Sequence, residues 1–479
     1  MAGPAADLSL PFPSGAALHA SPPAPDDDMT TPISFADRAE RTFATLDGSA
    51  LNGASEHLHA LRRDGLARVR ALGLPTRRME AWKYTRIEKA VERHLIGDLG
   101  GMRVTVGGGA AVTADDVAAL RIPGLTGPCV VMVNGVVRAD LSTAPVLDGG
   151  AYAGGFAHAP AALRPLFEAR LGAHDRRETE VFSALNAAFL ADAAVVYAPA
   201  GVTMDETVTV LHIVAPESGA AAFVPSRLVV VAEAGAAVRV VERAVVVGDA
   251  QAFLVPVTEV SVAEGADVRH VRVQDAGMTT DEVSSTEVVQ TGASVFDTLT
   301  VTLSGATVRN HVRILPDAEF CESHLRGFFF GQGAMTVDNA TFVDHAKPNC
   351  ESNEVYKGIL DGTSTGVFNG RILVRKDAQK TNAYQSSRAI VLSEGATMNS
   401  KPELEIYADD VKCSHGAATG RLDEQALFYL RARGLRPADA RALLLLAFSR
   451  DVTATAAPAA LADWIDARLR ALRGADEFA

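Results

Sequence analysis

RLVVVAEAGAAVRVVERAVVV, residues 227–247, is the stretch of sequence on which the fold depends. Two runs rich in valine, 227–232 and 238–247, lie on either side of a short turn centred on Gly235. Valine and other β-branched residues favour strands, whereas a glycine between two such runs is typical of a turn. The segment therefore predicts two β-strands joined by a tight turn.

Turns of the same kind recur along the chain at a regular interval. Their glycines lie at positions 235, 265, 292, 333, 362 and 395, which gives spacings of 30, 27, 41, 29 and 33 residues, with Gly305 inside the longest interval. One coil made of two long strands and two turns needs about 30 residues, at a rise of about 3.3 Å per residue. The repeat predicts a β-solenoid, in which each coil is buried by stacking on the next. A large β-sandwich with similar turns is the alternative that this pattern leaves open.

Working outward, the β-rich pattern extends over residues 99–420, which we assign to one continuous core of a mainly β protein. Residues 33–98 carry apolar residues at helical spacing instead, and they predict a helical N-terminal region. The first 32 residues are rich in Ala, Pro and Asp and predict a disordered extension, in which either Met1 or Met29 could be the true start. This extension lacks the basic and apolar segments of a signal peptide.

The last part of the chain, residues 421–479, predicts a second helical region with three helices. Asp423 is suited to cap a helix over residues 424–433, and Gly434 to end it. Pro437 suits the first turn of a second helix that continues through Ser449. Its predicted apolar stripe consists of Ala440, Leu443, Leu444, Ala447 and Phe448. Apolar residues within 461–472 mark the third helix.

Composition excludes several classes of function. The chain has 45 Lys and Arg against 58 Asp and Glu, a formal charge of −13, which disfavours binding to nucleic acid or to an anionic membrane. It has no apolar run of the roughly 18 residues that a membrane span needs. Its four cysteines form no CxxC pair, which favours a reducing, cytoplasmic location. The sequence also lacks a phosphate-binding P-loop and the common hydrolase and zinc-protease motifs.

The most distinctive chemistry lies in YADDVKCSHGA, residues 407–417. Cys413 and His415 are two residues apart, so on a strand they point to the same face. Thiolate and imidazole both bind iron, but two ligands do not complete a site, and the remaining ligands must come from another chain or from transient donors. A buried cysteine beside a hydrogen-bonded histidine is the alternative. His345 and Cys350 form a second pair, for which a structural role is the favoured interpretation.

Several longer strings carry a family resemblance. They are VYKGIL at 355–360, VFNGRILV at 367–374, AQKTN at 378–382, KPELEIYADDVKCSHGA at 401–417 and LFYLRARGL at 427–435. Together they resemble the SufB/SufD family of iron–sulfur cluster assembly scaffolds, and more loosely so does EAWKYT at 80–85. The Cys-Ser-His-Gly form at 413–416 is similar to the SufD branch rather than to the SufB branch.

This resemblance implies a flattened right-handed β-helix between helical end regions. It also implies a non-catalytic scaffold that works with a SufB-type scaffold and a SufC-type ATPase in de novo cluster assembly and iron acquisition. A transient iron–sulfur cluster would form at the interface between scaffolds, with His415 and Cys413 as the implicated residues, and the isolated chain would hold no cofactor tightly. Cluster type, stoichiometry, iron source and the roles of Cys129, Cys321, Cys350 and His345 stay open.

The C-terminal helices are predicted to dock the ATPase, because this chain lacks a nucleotide site of its own; capping the end of the solenoid is the alternative role. The residues predicted to contact the ATPase are Leu427, Phe428, Leu430, Arg431, Leu443, Leu444 and Phe448. Made alone, the chain is expected to form a homodimer through the strand around 401–417. The rival interpretations are a SufB-type partner scaffold and a β-helical carbohydrate-active enzyme.

Overall fold

The computed structural model describes residues 34–47, 55–94, 104–107, 112–176, 178–216, 222–248 and 250–472. The predicted extension over residues 1–32 lies outside them. The described helices are α1 Phe35–Asp47, α2 Glu56–Leu72, α3 Ile87–His94, α4 Ala114–Leu120, α5 Arg164–Arg170, α6 Val181–Ala188, α7 Glu424–Ala432, α8 Pro437–Ala456 and α9 Ala459–Leu472. None of these helices is both long and apolar enough to cross a membrane.

The strands fall into an irregular first group and a regular second group. The first group is β1 Cys129–Val133, β2 Val136–Val137, β3 Tyr152–Gly155, β4 Ala194–Ala198, β5 Val208–Val214, β6 Ala222–Val224, β7 Arg227–Ala232, β8 Ala237–Val246, β9 Ala252–Leu254, β10 Val257–Val262 and β11 Asp267–Gln274. The second group is β12 Thr280–Gln290, β13 Val295–Thr302, β14 Thr307–Pro316, β15 Glu322–Gly331, β16 Thr336–His345, β17 Glu351–Leu360, β18 Thr365–Val374, β19 Asn382–Val391, β20 Thr397–Ile406 and β21 Lys412–Gly420.

Successive strands alternate between two large sheets. One sheet has the order β2-β1-β5-β8-β11-β13-β15-β17-β19-β21, and the main path of the other is β20-β18-β16-β14-β12-β10-β7-β4-β3. From β12 onward each strand pairs in parallel with the strand two places further along the chain, one coil away. This topology is a β-solenoid, so the predicted fold is confirmed and the β-sandwich alternative is wrong. Crossover connections between parallel strands are right-handed in nearly all known structures.

The period-2 alternation of each strand places one set of side chains in the lumen between the sheets. Val268, Phe296, Leu325, Tyr356 and Ala383 are buried members of one continuous core cluster there. The opposite faces are covered by helices: α8 and α9 pack on the sheet that contains β13 and β15, and α2 and α6 pack near the other sheet. Early strands such as β5 and β7 are therefore buried on both faces, which accounts for their valine-rich sequences.

Stacked turns join the coils where the glycine repeat predicted them. Gly235 and Gly265 have φ values of +69° and +71°, a conformation that residues with a side chain rarely adopt. A Cβ atom added to Gly265 would lie 3.6 Å from the backbone of Gly235, because the two turns lie one above the other. The glycines therefore serve both the turn conformation and the close approach of neighbouring coils.

The described residues within 112–193 depart from the prediction of a continuous solenoid. Three helices, α4, α5 and α6, interrupt this part of the chain, and the β1–β2 and β3–β4 pairs are antiparallel. Parallel pairing between coils runs through both sheets from Ala194 onward, and coils of two strands become regular from β12. The sequence carried a local signal, since Thr113 and Asp116 form a capping box at the start of α4. The repeat of turn glycines starts only at Gly235, so it could not predict the structure of this earlier region.

The C-terminal region forms three helices as predicted, but the second is longer. Helix α8 continues past Ser449 to Ala456 and stops before Pro458. Polar side chains in this stretch form hydrogen bonds with carbonyl groups of the same helix. The Ser449 hydroxyl donates to the Leu446 carbonyl at 3.0 Å, and the Thr453 hydroxyl donates to the Ser449 carbonyl at 3.2 Å. Such back-bonding makes serine and threonine compatible with a helix interior.

Glycines in the lumen make room for the aromatic rings of the adjacent coil, and this generates a prediction. A Cβ atom on Gly327 would overlap the ring of Tyr356, which is fully buried. Gly327→Ala should therefore destabilise the protein by about 1–3 kcal/mol, the usual effect of overpacking a core. Gly420→Ala is the matched control, because a Cβ there meets nothing within 4 Å. Equal thermal midpoints for the two variants would contradict the prediction.

Candidate functional site

The solenoid ends at two strands that each lack a neighbour on one side. β21 is the last strand of one sheet and β20 the last strand of the other, within the part of the chain that the structure describes. β21 pairs only with β19 along its full length, and most of its side chains are exposed. Pro402 lies in the middle of β20, a position that proline tolerates only on an edge strand. The terminal coil thus presents open backbone edges to solvent.

Cys413 and His415 lie on this terminal strand and share its lumen-facing side. Cys413 is half-buried and packs against the lumen core, with Ala383 as its partner on β19. His415 is exposed at the open end, and its partner on β19 is Gln385. The predicted placement of both side chains on one face of a strand is therefore confirmed; what they bind stays a prediction.

The environment of Cys413 disfavours its thiolate. Burial raises the pKa of the Cys413 thiol, and a hydrogen bond with the backbone of Ala383 only partly opposes this. A thiol must lose its proton to become a strong metal ligand, whereas a neutral imidazole binds without doing so. Of the two side chains, His415 is the more exposed, and ionisation of Cys413 is disfavoured.

Beneath His415, polar side chains continue down the lumen in a column that the motif did not reveal. The Gln385 amide donates to the Glu354 carboxylate at 3.0 Å, and the Thr341 hydroxyl donates to the same carboxylate oxygen at 2.8 Å. All three side chains are buried. Burial raises the pKa of Glu354 to about 7, and these two hydrogen bonds hold it from rising further. A signal was available in the sequence, because the alternation of each strand places the polar residues Glu354 and Gln385 on the face that points into the lumen.

The second Cys–His pair lies inside the structure rather than at its open end. His345 is buried and makes a 2.9 Å hydrogen bond with the Ser352 hydroxyl. Cys350 lies one coil from Cys321, and the two sulfur atoms lie 3.1 and 3.2 Å from the Ala318 carbonyl oxygen. The hydrogen bond between the two cysteines lowers the pKa of Cys350 and raises that of Cys321.

Among the residues that the structure describes, no three His, Cys, Asp or Glu side chains are arranged to hold a metal ion. His415 and Cys413 are therefore two donors at the edge of a surface rather than a closed cage. The donor types fit iron, and the open edge of the strand leaves space for donors from a second molecule. Whether these two side chains bind metal stays a prediction.

The predicted docking residues divide between the core and the surface. Phe428 is 74% exposed, Leu443 is 48% exposed and Arg431 is also exposed. Leu427 is buried, and Leu430, Leu444 and Phe448 are half-buried, with the Phe448 ring 4.5 Å from the ammonium of Lys357. The buried face of α8 is formed by Ala440, Ala442, Leu445, Leu446, Ser449, Val452 and Thr453. The predicted stripe was correct at Ala440 and displaced by about one residue after it, because alanine and leucine occupy every position of 442–447 and obscure the helical period.

The fold and the terminal strand together define a class: a parallel β-solenoid whose exposed last strand carries a Cys-Ser-His sequence. The family model of the "SUF system FeS cluster assembly, SufBD core domain" matches residues 214–448, and the model of the "SufBD protein N-terminal region" matches residues 41–210. The chain belongs to the SufB/SufD family of iron–sulfur cluster assembly proteins.

Curated relatives agree with this membership over most of the chain. An iron–sulfur cluster assembly SufBD family protein of Synechocystis is 28% identical over 448 residues, which are 89% of this chain and 94% of the relative. The iron–sulfur cluster assembly protein SufD of Escherichia coli is 26% identical over 403 residues, 84% of this chain and 88% of the relative. SufD of Bacillus subtilis is 34% identical over 118 residues, 25% and 27% of the two chains.

The raised pKa of Glu354 predicts a pH-dependent effect on stability. A carboxyl group that titrates near 4.5 when unfolded and near 7 when folded binds more protons in the folded state between these values, so its contribution to stability is lost as pH rises through them. Glu354→Gln should therefore gain stability relative to the wild type from pH 5 to pH 7, on the order of 1 kcal/mol per pH unit. Urea unfolding at several pH values measures this difference.

Glu394→Gln, an exposed substitution in a turn, serves as the control for the change of net charge. If the stability difference between Glu354→Gln and the wild type did not change with pH, the buried carboxyl would not titrate in this range, and the prediction would be wrong.

Proposed function

We propose that this chain is a SufD-type scaffold subunit of a Suf iron–sulfur cluster assembly complex. It would act in the cytoplasm with a SufB-type scaffold and a SufC-type ATPase in de novo cluster assembly and iron acquisition, without being a catalyst itself. The observation that carries this proposal is the Cys-Ser-His sequence at 413–415 on the open terminal strand of a SufB/SufD family member. The relatives named SufD support the choice of branch.

The open end of the solenoid suggests how a cluster would be held. His415 offers an imidazole nitrogen at the surface, and Cys413 beside it adds a thiol in a supporting role. A partner scaffold that pairs with the edges of β20 and β21 would bring further ligands to the same place. The iron–sulfur cluster is cargo in this scheme, bound by the assembled pair and released when the interface opens. A second copy of this chain would occupy the same edge when the partner is absent.

The exposed residues of α7 and α8 suggest where the ATPase binds. Phe428 and Leu443 are large apolar side chains left in solvent, with the exposed Arg431 on the same pair of helices. Buried aromatic and arginine side chains dominate the energy of many interfaces. The inner face of α8 packs on the sheet. The outer face of these helices remains exposed and available to a partner.

His415→Ala tests the cluster site. The side chain is exposed, so the substitution should change the free energy of unfolding by less than about 0.5 kcal/mol and leave complex formation intact. It should nevertheless strongly reduce maturation of iron–sulfur enzymes in cells that depend on this system. The measurement is enzyme activity in such cells, together with iron and sulfide content of the purified complex.

Ser414→Ala is the matched control, because Ser414 lies between the two donors and points to the opposite face. Full maturation by His415→Ala in an intact complex would refute the ligand role and favour a structural histidine.

Phe428→Ala with Leu443→Ala tests the docking surface. Removal of both side chains should lower capture of the ATPase by at least tenfold, since central apolar residues often contribute 2 kcal/mol or more to an interface. Deletion of the whole region is unsuitable, because α8 and α9 cover an apolar face of the sheet. Co-purification of the ATPase and its affinity in titration calorimetry are the measurements.

Met278→Ala removes an exposed apolar side chain elsewhere on the protein and is the control. Unchanged ATPase affinity in the double variant would place the docking surface outside these two helices.

A further inference from the structure

The buried side-chain oxygen of Gln385 lacks a hydrogen-bond donor. Gln385 is 3% exposed, and its Oε1 is a buried atom with no partner. Its register partner on the neighbouring terminal strand is His415. Adjacent strands are about 4.8 Å apart, so the backbones of His415 and Gln385 are one strand spacing apart, while no hydrogen bond joins the Gln385 oxygen to the imidazole in this structure. A buried acceptor without a donor is costly, and its position next to a potential donor calls for an explanation.

The orientation of the Gln385 amide is fixed from below. Its Nε2 donates to Glu354 at 3.0 Å, and the carboxylate also accepts from Thr341 at 2.8 Å. A carboxylate accepts and an amide nitrogen donates, so the nitrogen must face Glu354 and the oxygen is left for another donor. Gly370 supplies the space, because a Cβ atom there would overlap Nε2 of Gln385.

The neighbouring position gives an internal comparison. The register partner of Cys413 is Ala383, a buried residue with no polar side chain. On β19, the residue opposite His415 therefore carries a side-chain hydrogen-bond acceptor, whereas the residue opposite Cys413 does not. The column Glu354–Gln385 is specific to the histidine position of the terminal strand.

We propose that Gln385 is a positioning residue for His415: its Oε1 accepts the N–H of one imidazole nitrogen and leaves the other nitrogen, unprotonated, facing the open end. This rests on the proposed function, in which the outward nitrogen meets iron of the nascent cluster. Metal-binding histidines almost always donate their second ring N–H to a carboxylate or a carbonyl, which fixes both tautomer and ring orientation. Glu354 and Gly370 contribute by holding the amide.

The tautomer of His415 can be measured in the full-length chain without any metal. Protein labelled with ¹⁵N-histidine is compared with the His415→Ala variant, which assigns the signals of this ring in long-range ¹H–¹⁵N spectra. At a pH where the imidazole is neutral, the wild type should show one tautomer. Gln385→Leu should show the mixture of tautomers typical of a free imidazole.

Two further variants separate positioning from a general effect on structure. Glu354→Gln combined with Gln385→Glu exchanges the carboxyl and the amide, and keeps an acceptor oxygen beneath His415, so it should restore a single tautomer. Ser387→Ala changes the next lumen-facing residue of β19, whose register partner is Ala417, and should leave the spectrum unchanged. Thermal midpoints establish that each variant is folded.

The same variants should differ in metal binding. With Co²⁺ as the probe and the co-purified scaffold complex as the sample, Gln385→Leu should bind at least tenfold more weakly than the wild type, as expected for loss of an outer hydrogen-bond partner. The exchange variant should recover most of the affinity. His415→Ala gives the baseline without the imidazole.

The possible outcomes distinguish this proposal from the one on which it rests. A mixture of tautomers in the wild type, or a single tautomer that survives Gln385→Leu, overturns the positioning role even if His415→Ala abolishes maturation. Full maturation by His415→Ala overturns the cluster role of the histidine, whatever the tautomer. Loss of the single tautomer and of Co²⁺ affinity in Gln385→Leu, with recovery in the exchange variant, supports the positioning role.

Discussion

Parallel pairing of each coil with the next is the constraint on which the rest of this structure depends. A strand such as β17 has neighbours on both sides, β15 and β19, and its backbone groups are satisfied only because equivalent residues of successive coils stay in register. Turn glycines, lumen aromatics and polar columns then repeat along the axis. The last coil obeys the same rule on one side only, and this is where Cys413 and His415 lie.

The lumen combines an apolar core with buried polar groups, and the two have different consequences. Near the middle, Arg272 bonds to the carboxylates of Glu242 and Glu282, so that the charges compensate one another. Such a network is expensive to bury and adds little net stability, but removal of one partner would leave an uncompensated charge. Toward the open end, the described hydrogen-bond partners of Glu354 are the uncharged Thr341 and Gln385, and burial raises its pKa. This carboxyl group is therefore less well compensated than those of Glu242 and Glu282.

Much of this could be predicted from sequence because the signals are local or periodic. The spacing of Gly235 and its successors gave the solenoid, and the Cys413–His415 spacing gave a shared strand face. The helices within 99–193 were missed because no repeat operates there. The role proposed for Gln385 could not be predicted from its neighbours in sequence, because it depends on which residue lies opposite it one coil away. That register is set by the length of each intervening turn. The buried face of α8 was hard to predict because its run of leucines obscures the helical period.

The two ends of the solenoid differ in a way that limits how copies of it can associate. At the early end, the outermost strands β2 and β3 are short and antiparallel to their neighbours, whereas the late end finishes in the long parallel strands β20 and β21. An object with one adhesive end forms closed pairs, because head-to-tail growth needs two complementary ends. Pro402 also removes one backbone donor from the β20 edge. If molecules pair at β20 and β21 as proposed, association would therefore stop at a pair, even though these strand edges resemble those of a growing fibril.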